Sequence, residues 1–430
     1  MAIHLAGLRS KLTTCAMLTY MLVLATTATA QNVGSNEAWP WWRGPERNGW
    51  AAPSANPPVK FGKSSDGGMV WKAPIAGRGH SSPIVVGNQV FMATADEKSQ
   101  TQFIVCLDSS IGKQLWQTEI SSGGFPAQNH PKNTEASSTL ACDGESLLAT
   151  FFHHKQVELV SLSLDGSVTW RKKVCDFNPK KYEYGYAPSP TIYKSLVIVS
   201  AEYDGPSYLV AYDRRRGREV WRTPRKATIS FSTPIVANVA GRDQLLISGA
   251  NTVSSYNPAN GNLLWQTPGT TSATCGTMVW QDDIVVASGG YPKKETIAIR
   301  ADGSRQALWR NDAKCYEQSM IVVDGFVYGL TDRGVLYCWQ LKTGKEMWRQ
   351  RLGGSVSASP VYAGGHIYWA NETGTMFVFK PSPSRYEAVA ENRIGDSAFA
   401  SPAVVGNRIF LRVGERAAGG LQEYVYCFER

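Results

Sequence analysis

One short motif returns along almost the whole chain and constrains its fold more than any other feature. A Ser-Pro or Thr-Pro step leads into a β-branched run, first at Ser82-Pro83-Ile-Val-Val-Gly. Taking the Pro or its equivalent, the copies fall at positions 83, 139, 190, 234, 277, 319, 360 and 402, spaced 41 to 56 residues apart. Three copies lack the proline: Ser138-Thr139, Gly276-Thr277 and Ser319-Met320. Self-similarity at such a period indicates a repeat architecture.

A second motif closes most repeats with a glycine turn and a tryptophan. Asp108, Gly112 and Trp116 have the spacing of Asp213, Gly217 and Trp221. Gly accepts positive φ and Asp bonds its local backbone, so the Gly-to-Trp stretch is expected to be the returning strand of a hairpin. We predict that the recurring indoles pack between neighbouring repeats, at Trp71, Trp116, Trp170, Trp221, Trp265, Trp309 and Trp348.

Four short strands per repeat predict an all-β fold, an eight-bladed β-propeller of four-stranded antiparallel blades. Only 28 residues follow Pro402, enough for three strands. The segment around Trp71 lies 12 residues before Pro83, as Trp348 lies 12 before Pro360. We therefore expect this N-terminal strand to close the last blade, which leaves no open sheet edge in the ring.

The N-terminus has the pattern of an export signal. Arg9 and Lys11 precede an apolar run, and Ala28-Thr29-Ala30 has the form of a cleavage site. We predict a signal peptide over 1–30, an irregular segment over 31–67 and the propeller over 68–430. The mature chain is then exported to the periplasm or the extracellular space, with no transmembrane segment after cleavage.

Charge and cysteine content narrow the partners. The formal net charge of +9 concentrates around 171–173, 180–181 and 214–218, which makes an anionic glycan a candidate ligand. Nucleic acid is not expected as a partner of an exported protein. The cysteines show no CxxC spacing; a bridge among Cys142, Cys175, Cys275 and Cys315 stays open.

The Asp-x-x-x-Gly-Lys-x-x-Trp motif resembles the tryptophan-docking motif of PQQ-like, quinoprotein-type propeller repeats. Its best copies are 108–116 and 340–348, and the resemblance covers roughly 69–430. The segment Trp39-Pro-Trp-Trp-Arg43-Gly-Pro-Glu-Arg47-Asn-Gly49 also looks like the lead-in of exported PQQ-like proteins of planctomycete-type bacteria. A WD40 ring is the structural alternative, but Trp-Asp strand endings are absent.

This resemblance implies two kinds of function. The family includes PQQ-dependent dehydrogenases, which hold PQQ with Ca²⁺, several of them beside a vicinal disulfide. It also includes the outer-membrane-assembly propeller lipoprotein, a non-catalytic protein binder. This sequence has no adjacent cysteines and no matching set of Ca²⁺ ligands. We therefore predict no cofactor, no metal site and no catalytic residue, with a PQQ–Ca²⁺ oxidoreductase as the alternative.

Two long connections, 121–137 and 174–187, carry most of the residues that depart from the repeat. Three residues before each Pro position lie His80, Ala136, Ala187, Phe231, Thr274, Tyr316, Ser357 and Phe399. We expect this set to line one mouth of the central channel, or else to plug the channel by packing. The predicted partner-binding residues are His80, Glu135, Tyr182, Tyr184, Tyr186, Phe231, Tyr316 and Phe399.

The interpretation is a monomeric, exported scaffold that binds a protein or a cell-surface partner. Polysaccharide binding through the Tyr-rich connection and the basic clusters is a further alternative.

Overall fold

The computed structural model describes residues 38–63 and 67–430, and every regular element in this part of the chain is a β-strand. The first strands in chain order are β1 (Met69–Ile75), β2 (Ile84–Val86), β3 (Gln89–Asp96), β4 (Thr101–Asp108), β5 (Gln114–Ser122), β6 (Ala141–Cys142), β7 (Ser146–His153), β8 (Gln156–Ser163), β9 (Val168–Asp176), β10 (Thr191–Tyr193), β11 (Leu196–Ala201), β12 (Ser207–Asp213), β13 (Glu219–Arg225), β14 (Ile235–Val239), β15 (Arg242–Gly249), β16 (Thr252–Tyr256) and β17 (Leu263–Pro268).

The remaining strands are β18 (Val279–Gln281), β19 (Ile284–Gly289), β20 (Glu295–Arg300), β21 (Ala307–Asn311), β22 (Ile321–Val323), β23 (Phe326–Leu330), β24 (Val335–Gln340), β25 (Glu346–Arg351), β26 (Val361–Ala363), β27 (His366–Ala370), β28 (Thr375–Lys380), β29 (Glu387–Arg393), β30 (Ala403–Val405), β31 (Arg408–Ala417) and β32 (Gly420–Glu429). No helix in the described ranges is long and apolar enough to cross a membrane. The predicted signal peptide over 1–30 lies outside the described residues.

These strands form eight four-stranded antiparallel blades, as predicted. Blade 1 is β2–β5, blades 2 to 7 follow in groups of four, and blade 8 has the order β1-β32-β31-β30. The first strand is therefore the outer strand of the last blade, with Trp71 opposite Cys427. The apolar core lies between successive blades, where the second strand of each blade is buried on both faces over most of its length.

The repeats without a proline are displaced by one residue from the predicted alignment. Strands β6, β18 and β22 begin at Ala141, Val279 and Ile321, so Leu140, Met278 and Met320 occupy the proline position. Thr139, Thr277 and Ser319, which were predicted to be equivalent to the proline, instead occupy the Ser/Thr position before it. The hydroxyl residue, rather than the proline, is the feature that the repeats share.

A ring of hydrogen bonds explains why that hydroxyl recurs. In seven of the eight junctions, the Ser or Thr backbone N–H of one blade donates to the side-chain hydroxyl of the next. The bonds measure 2.8–3.0 Å and join Ser82, Thr139, Ser189 and Thr233, and then Thr277, Ser319, Ser359, Ser401 and again Ser82. The ring satisfies inner-strand N–H groups that would otherwise face the channel unpaired.

The outer tryptophans lock each blade to the turn of the next. The indole Nε1 donates across the junction in six cases, at 2.7–3.2 Å: Trp71 to Ser109 O, Trp116 to Leu164 O, Trp170 to Arg214 O, Trp221 to Pro258 O, Trp309 to Leu341 O and Trp348 to Ser382 O. A small residue faces each of the seven tryptophans across the sheet, and a β-bulge follows beside it. The bulge aims the indole out of the blade toward its neighbour.

Trp265 departs from this docking. It is fully buried and donates to Gln244 Oε1 within its own blade. Gly303, the turn glycine of the following blade, therefore has no indole packed on it. A Cβ added to Gly303 would have one neighbour within 4 Å, the Arg242 guanidinium at 3.7 Å. Trp265 still packs in the apolar cluster that blades 4 and 5 share, so this junction lacks only the indole hydrogen bond to the next turn.

Blade 7 has no tryptophan in its outer strand, and the N-terminal segment fills that junction. Ala390 stands opposite Val378, next to the bulge. The Asn392 side chain accepts from Phe61 N and donates to Val59 O. Phe61 is buried with its ring 4.9 Å from that of Phe428 in blade 8.

The rest of the N-terminal segment closes one end of the channel. Arg43 is buried, and its guanidinium donates to Met320 O and Pro360 O on the inner edges of blades 6 and 7. Trp42 Nε1 donates to the Thr277 hydroxyl. This hydroxyl lies at the junction of blades 4 and 5, the one junction that the seven backbone bonds of the hydroxyl ring leave out. Trp50 Nε1 donates to Val322 O. Residues 38–61 thus cover the end of the channel at which each inner strand turns into the second strand of its blade.

Candidate functional site at the open mouth

The opposite end of the channel holds a cavity of about 220 Å³. In each blade, the residue three positions before the proline position lines this cavity. In the three repeats without proline, that position is held by Leu140, Met278 or Met320. The eight lining residues are His80, Ser137, Ala187, Phe231, Cys275, Glu317, Ser357 and Phe399. Ala136 and Thr274, which the uncorrected alignment predicted, are buried in the wall instead. Tyr316 also lines the cavity.

Aromatic rings form much of the cavity wall. His80 and Phe399 stack with centroids 4.3 Å apart and planes within 4°. Tyr184 from the long 174–187 connection stacks on Phe231 at 6.5 Å and meets His130 edge-on at 4.7 Å. Tyr184 is 40% exposed. The rings therefore surround an open cavity rather than plugging the channel.

A charged cluster crosses the cavity. Lys132 comes from the connection between blades 1 and 2, yet its Nζ lies 2.7 Å from Glu372 and 3.4 Å from Glu317, in blades 7 and 6. Ser357 Oγ lies 2.6 Å from Glu317 and 2.7 Å from Glu372. Burial alone would lower the pKa of Lys132, but the hydrogen bond that its ammonium donates to Glu372 and the charge of Glu317 outweigh burial and raise that pKa.

Burial favours the neutral form of three other titratable groups of the cavity, His80, Tyr316 and Cys275. Burial, reinforced by the charges of Arg78 and Arg412, lowers the pKa of His80 to about 3. Burial raises the pKa of Tyr316 and of the Cys275 thiol. The charged cluster, with two glutamates against one lysine, carries a net negative charge.

Three of the predicted binding residues lie away from the cavity. Glu135 faces the connection itself, where Asn129 Nδ2 donates to its carboxylate at 2.8 Å. Tyr186 is buried, donates to Ser200 O and packs on Phe177. Tyr182 stands beside Tyr184, with its ring against Tyr291.

Sequence reasoning missed the charged residues of the site. Glu317 follows from the corrected repeat register, because it occupies the lining position of blade 6. Lys132 lies in the long 121–137 connection, which the sequence indicated as a departure from the repeat. No sequence pattern predicted that its side chain would contact glutamates of blades 6 and 7. Glu372 lies after β27, in a turn whose pattern blade 6 repeats as Asp332-Arg333-Gly334, and this shared acidic position is a sequence signal that could have located it.

Part of the basic clusters that suggested an anionic ligand is paired with carboxylates. Arg214 bonds Asp143, and Arg215 lies 3.0 Å from Glu145. Arg171 lies 3.1 Å from Glu158. These pairs reduce the positive field that an acidic glycan would need.

Cysteines and histidines form no metal cluster within the described ranges. The seven cysteines there are free thiols, so none of the disulfides left open by the sequence is formed. Adjacent residues of an extended strand point to opposite sides, but the Nδ1 atoms of His153 and His154 lie 3.0 Å apart. The reason is that His154 has φ of 48° and leaves the extended conformation.

Comparison with known proteins places the chain in a family. The model of the family described as outer membrane protein assembly factor BamB matches residues 61–184, 100–350 and 293–382. The chain belongs to this PQQ-like propeller family. Two curated relatives are similar to it, both described as outer membrane protein assembly factor BamB.

The relative from Burkholderia pseudomallei is 24% identical over 370 residues, which cover 76% of this chain and 91% of the relative. The relative from Yersinia pestis is 24% identical over 302 residues, which cover 70% of this chain and 63% of the relative.

Solved structures share the propeller fold. A europium-containing methanol dehydrogenase matches with a TM-score of 0.68 at 12% identity, covering 93% of this chain and 99% of that one. BamB from Moraxella catarrhalis matches with a TM-score of 0.58 at 13% identity, covering 84% and 99%. At these identities the likeness concerns the fold alone.

The mouth of this PQQ-like propeller does not fit PQQ with Ca²⁺. PQQ carries three carboxyl groups, whereas the charged cluster of the cavity has a net negative charge and His80 is neutral. The ammonium of Lys132 lies where a cation held by Glu317 and Glu372 would lie. Cys275 lines the cavity without an adjacent cysteine.

Proposed function

We propose that this chain is an exported, non-catalytic propeller that binds a protein partner of the cell envelope at its open mouth. The names of the relatives support a role in outer membrane protein assembly, and hence a periplasmic location. The partner-binding surface comprises Tyr184, Phe231, Tyr316 and Phe399 around the cavity, with His80 stacked behind Phe399.

The difference between the two ends of the channel carries this proposal. The end facing the strand turns is covered by residues 38–61, which satisfy inner-strand groups of several blades. The other end keeps half-exposed aromatic rings around a cavity. Aromatic residues that remain partly exposed in a concave site are typical anchors of protein interfaces.

Site-specific photo-crosslinking in the cell envelope tests the proposal. A photoreactive residue at Tyr184 or Phe231 is expected to capture a discrete protein partner. The matched control is the exposed Lys194, in the turn between β10 and β11 at the covered end. Crosslinks that form equally from Lys194, or that form from neither mouth position, would contradict the proposal.

The oxidoreductase alternative has its own test. Titration with PQQ and Ca²⁺, followed by the quinone absorbance, is expected to show no saturable binding. Saturable binding that is lost in Phe399→Ala would place a cofactor at the mouth and overturn the proposed function.

A further inference from the structure

We infer that the mouth cavity binds a lysine or arginine side chain of the protein partner, and that Lys132 occupies this place in the free protein. The inference rests on the proposed function, because it specifies the ligand chemistry of the same site. Three features carry it: a pair of carboxylates, a wall of neutral rings and the way in which Lys132 reaches them.

The carboxylate pair is arranged around a cationic group. Glu317 and Glu372 come from different blades, yet both lie within hydrogen-bond distance of Ser357 Oγ. Like charges held so close repel each other unless a cation lies between them. The ammonium of Lys132 supplies that cation, with 2.7 Å to one glutamate and 3.4 Å to the other.

The rest of the wall suits the same kind of ligand. Phe231, Tyr184 and Phe399 line the cavity with aromatic rings, which attract ammonium and guanidinium groups and pack against their alkyl stems. The Tyr316 ring already has such a neighbour, the Lys314 ammonium 4.9 Å from its centroid. His80 adds no competing positive charge, since it stays neutral. A long cationic side chain therefore meets apolar surface along its stem and two carboxylates at its head.

Lys132 is placed so that it can be exchanged. It belongs to the irregular stretch between β5 and β6, so its movement breaks no strand pairing. Its side chain is 32% exposed. Replacing its ammonium with that of a ligand preserves the ion pairs, and Lys132 then returns to water. Lys132 thus competes with the ligand and weakens its binding.

A small probe measures this competition. We would titrate Nα-acetyl-lysine-N-methylamide and its norleucine analogue into the full mature chain and follow binding by NMR. The lysine probe is expected to bind Lys132→Met about tenfold more tightly than wild type, the value of one charge-assisted contact. Lys181→Met, which removes an equal charge from an exposed loop site, is expected to match wild type.

Two outcomes overturn the inference: no gain in Lys132→Met, or an equal gain for the norleucine probe. Glu317→Gln/Glu372→Gln is expected to abolish lysine binding, and retention of binding in a folded double variant also contradicts the inference. These outcomes are separable from the proposed function, because partner crosslinks at Tyr184 are scored independently. Crosslinking without lysine selectivity would refute the inference alone, whereas lysine binding without crosslinking would refute the proposed function and leave only a site for cationic side chains.

Discussion

At the scale of single residues, the most informative contact is between a turn glycine and the tryptophan of the preceding blade. A Cβ placed on Gly112, Gly166, Gly217, Gly261 or Gly344 would lie 2.5–2.8 Å from the facing indole. Each of these glycines also has positive φ. The motif therefore recurs for two reasons, the turn conformation and the space that the indole occupies.

Gly261→Ala and Gly241→Ala separate these two reasons. Both glycines have φ of 74°, but Gly241 has no atom within 4 Å of an added Cβ, whereas Gly261 meets the Trp221 ring at 2.5 Å. Both variants are expected to lose about 1–2 kcal/mol of unfolding free energy from the backbone. Gly261→Ala is expected to lose about 1–3 kcal/mol more through overpacking. Equal losses in denaturant unfolding would contradict the docking contact.

His80 gives a pH dependence with a defined sign. Its pKa is about 3 in the folded chain and 6.5 for the ordinary side chain. Between these values the unfolded chain binds a proton that the folded chain does not, so stability falls as pH is lowered from 6.5 toward 3. His80→Phe keeps the stack on Phe399 and removes this proton. The stability of wild type relative to His80→Phe is therefore expected to fall over that window; a constant difference would contradict it.

Sequence patterns correctly predicted those mouth residues whose location follows from their position in the repeat. His80, Phe231 and Phe399 precede true prolines and lie at the cavity as expected. In the repeats without proline, only strand pairing and the hydroxyl ring identify the position, so the alignment slipped by one residue. Tyr186 was misplaced because an aromatic in a loop can pack inward as readily as outward, and composition does not distinguish the two.

At the scale of elements, the closure of the ring depends on a buried ion pair as well as on strand pairing. Arg412 on β31 lies 2.6 Å from Glu423 on β32, and both side chains are buried. The guanidinium also donates to Ala93 O of blade 1 at 2.6 Å, and Glu423 accepts from Gly79 N. The pair therefore links blade 8 to blade 1 beside the mouth.

Removing one partner of this pair leaves the other charge buried and uncompensated. Glu423→Gln is expected to cost about 3–5 kcal/mol of unfolding free energy. The control is Glu219→Gln, whose exposed ion pair with Arg222 contributes about 0–1 kcal/mol. Calorimetric or denaturant unfolding measures both variants. Similar losses would show that the Arg412–Glu423 pair does not secure the junction.

The N-terminal segment shows what a repeat pattern leaves open. Its motif around Trp39–Gly49 was visible in the sequence, but the sequence predicted only an irregular segment and not its bonds to the inner strands. Its contact with Asn392 and Phe428 had no sequence signal, because it compensates for a tryptophan that blade 7 lacks. Such a compensation is defined only by three-dimensional neighbours.

At the scale of the whole molecule, the ring is regular and its two ends are not. Eight similar blades would surround each channel mouth with eight similar connections, but the N-terminal segment covers one end. The two long connections bring Lys132 and Tyr184 to the other. Function is therefore expected at the end where the repeats differ, and the regular strands serve to hold those residues in place.

The affinity of a mouth variant for the partner captured at Tyr184 tests this account most directly. Tyr316→Ala/Phe399→Ala removes two lining rings. The control, Ile111→Ala/Val220→Ala, removes two apolar side chains that are 65% and 49% exposed in blades 1 and 3. We expect the mouth variant to bind at least about tenfold more weakly, with the control unchanged. Unchanged affinity in a folded mouth variant would contradict the claim that this mouth is the binding site.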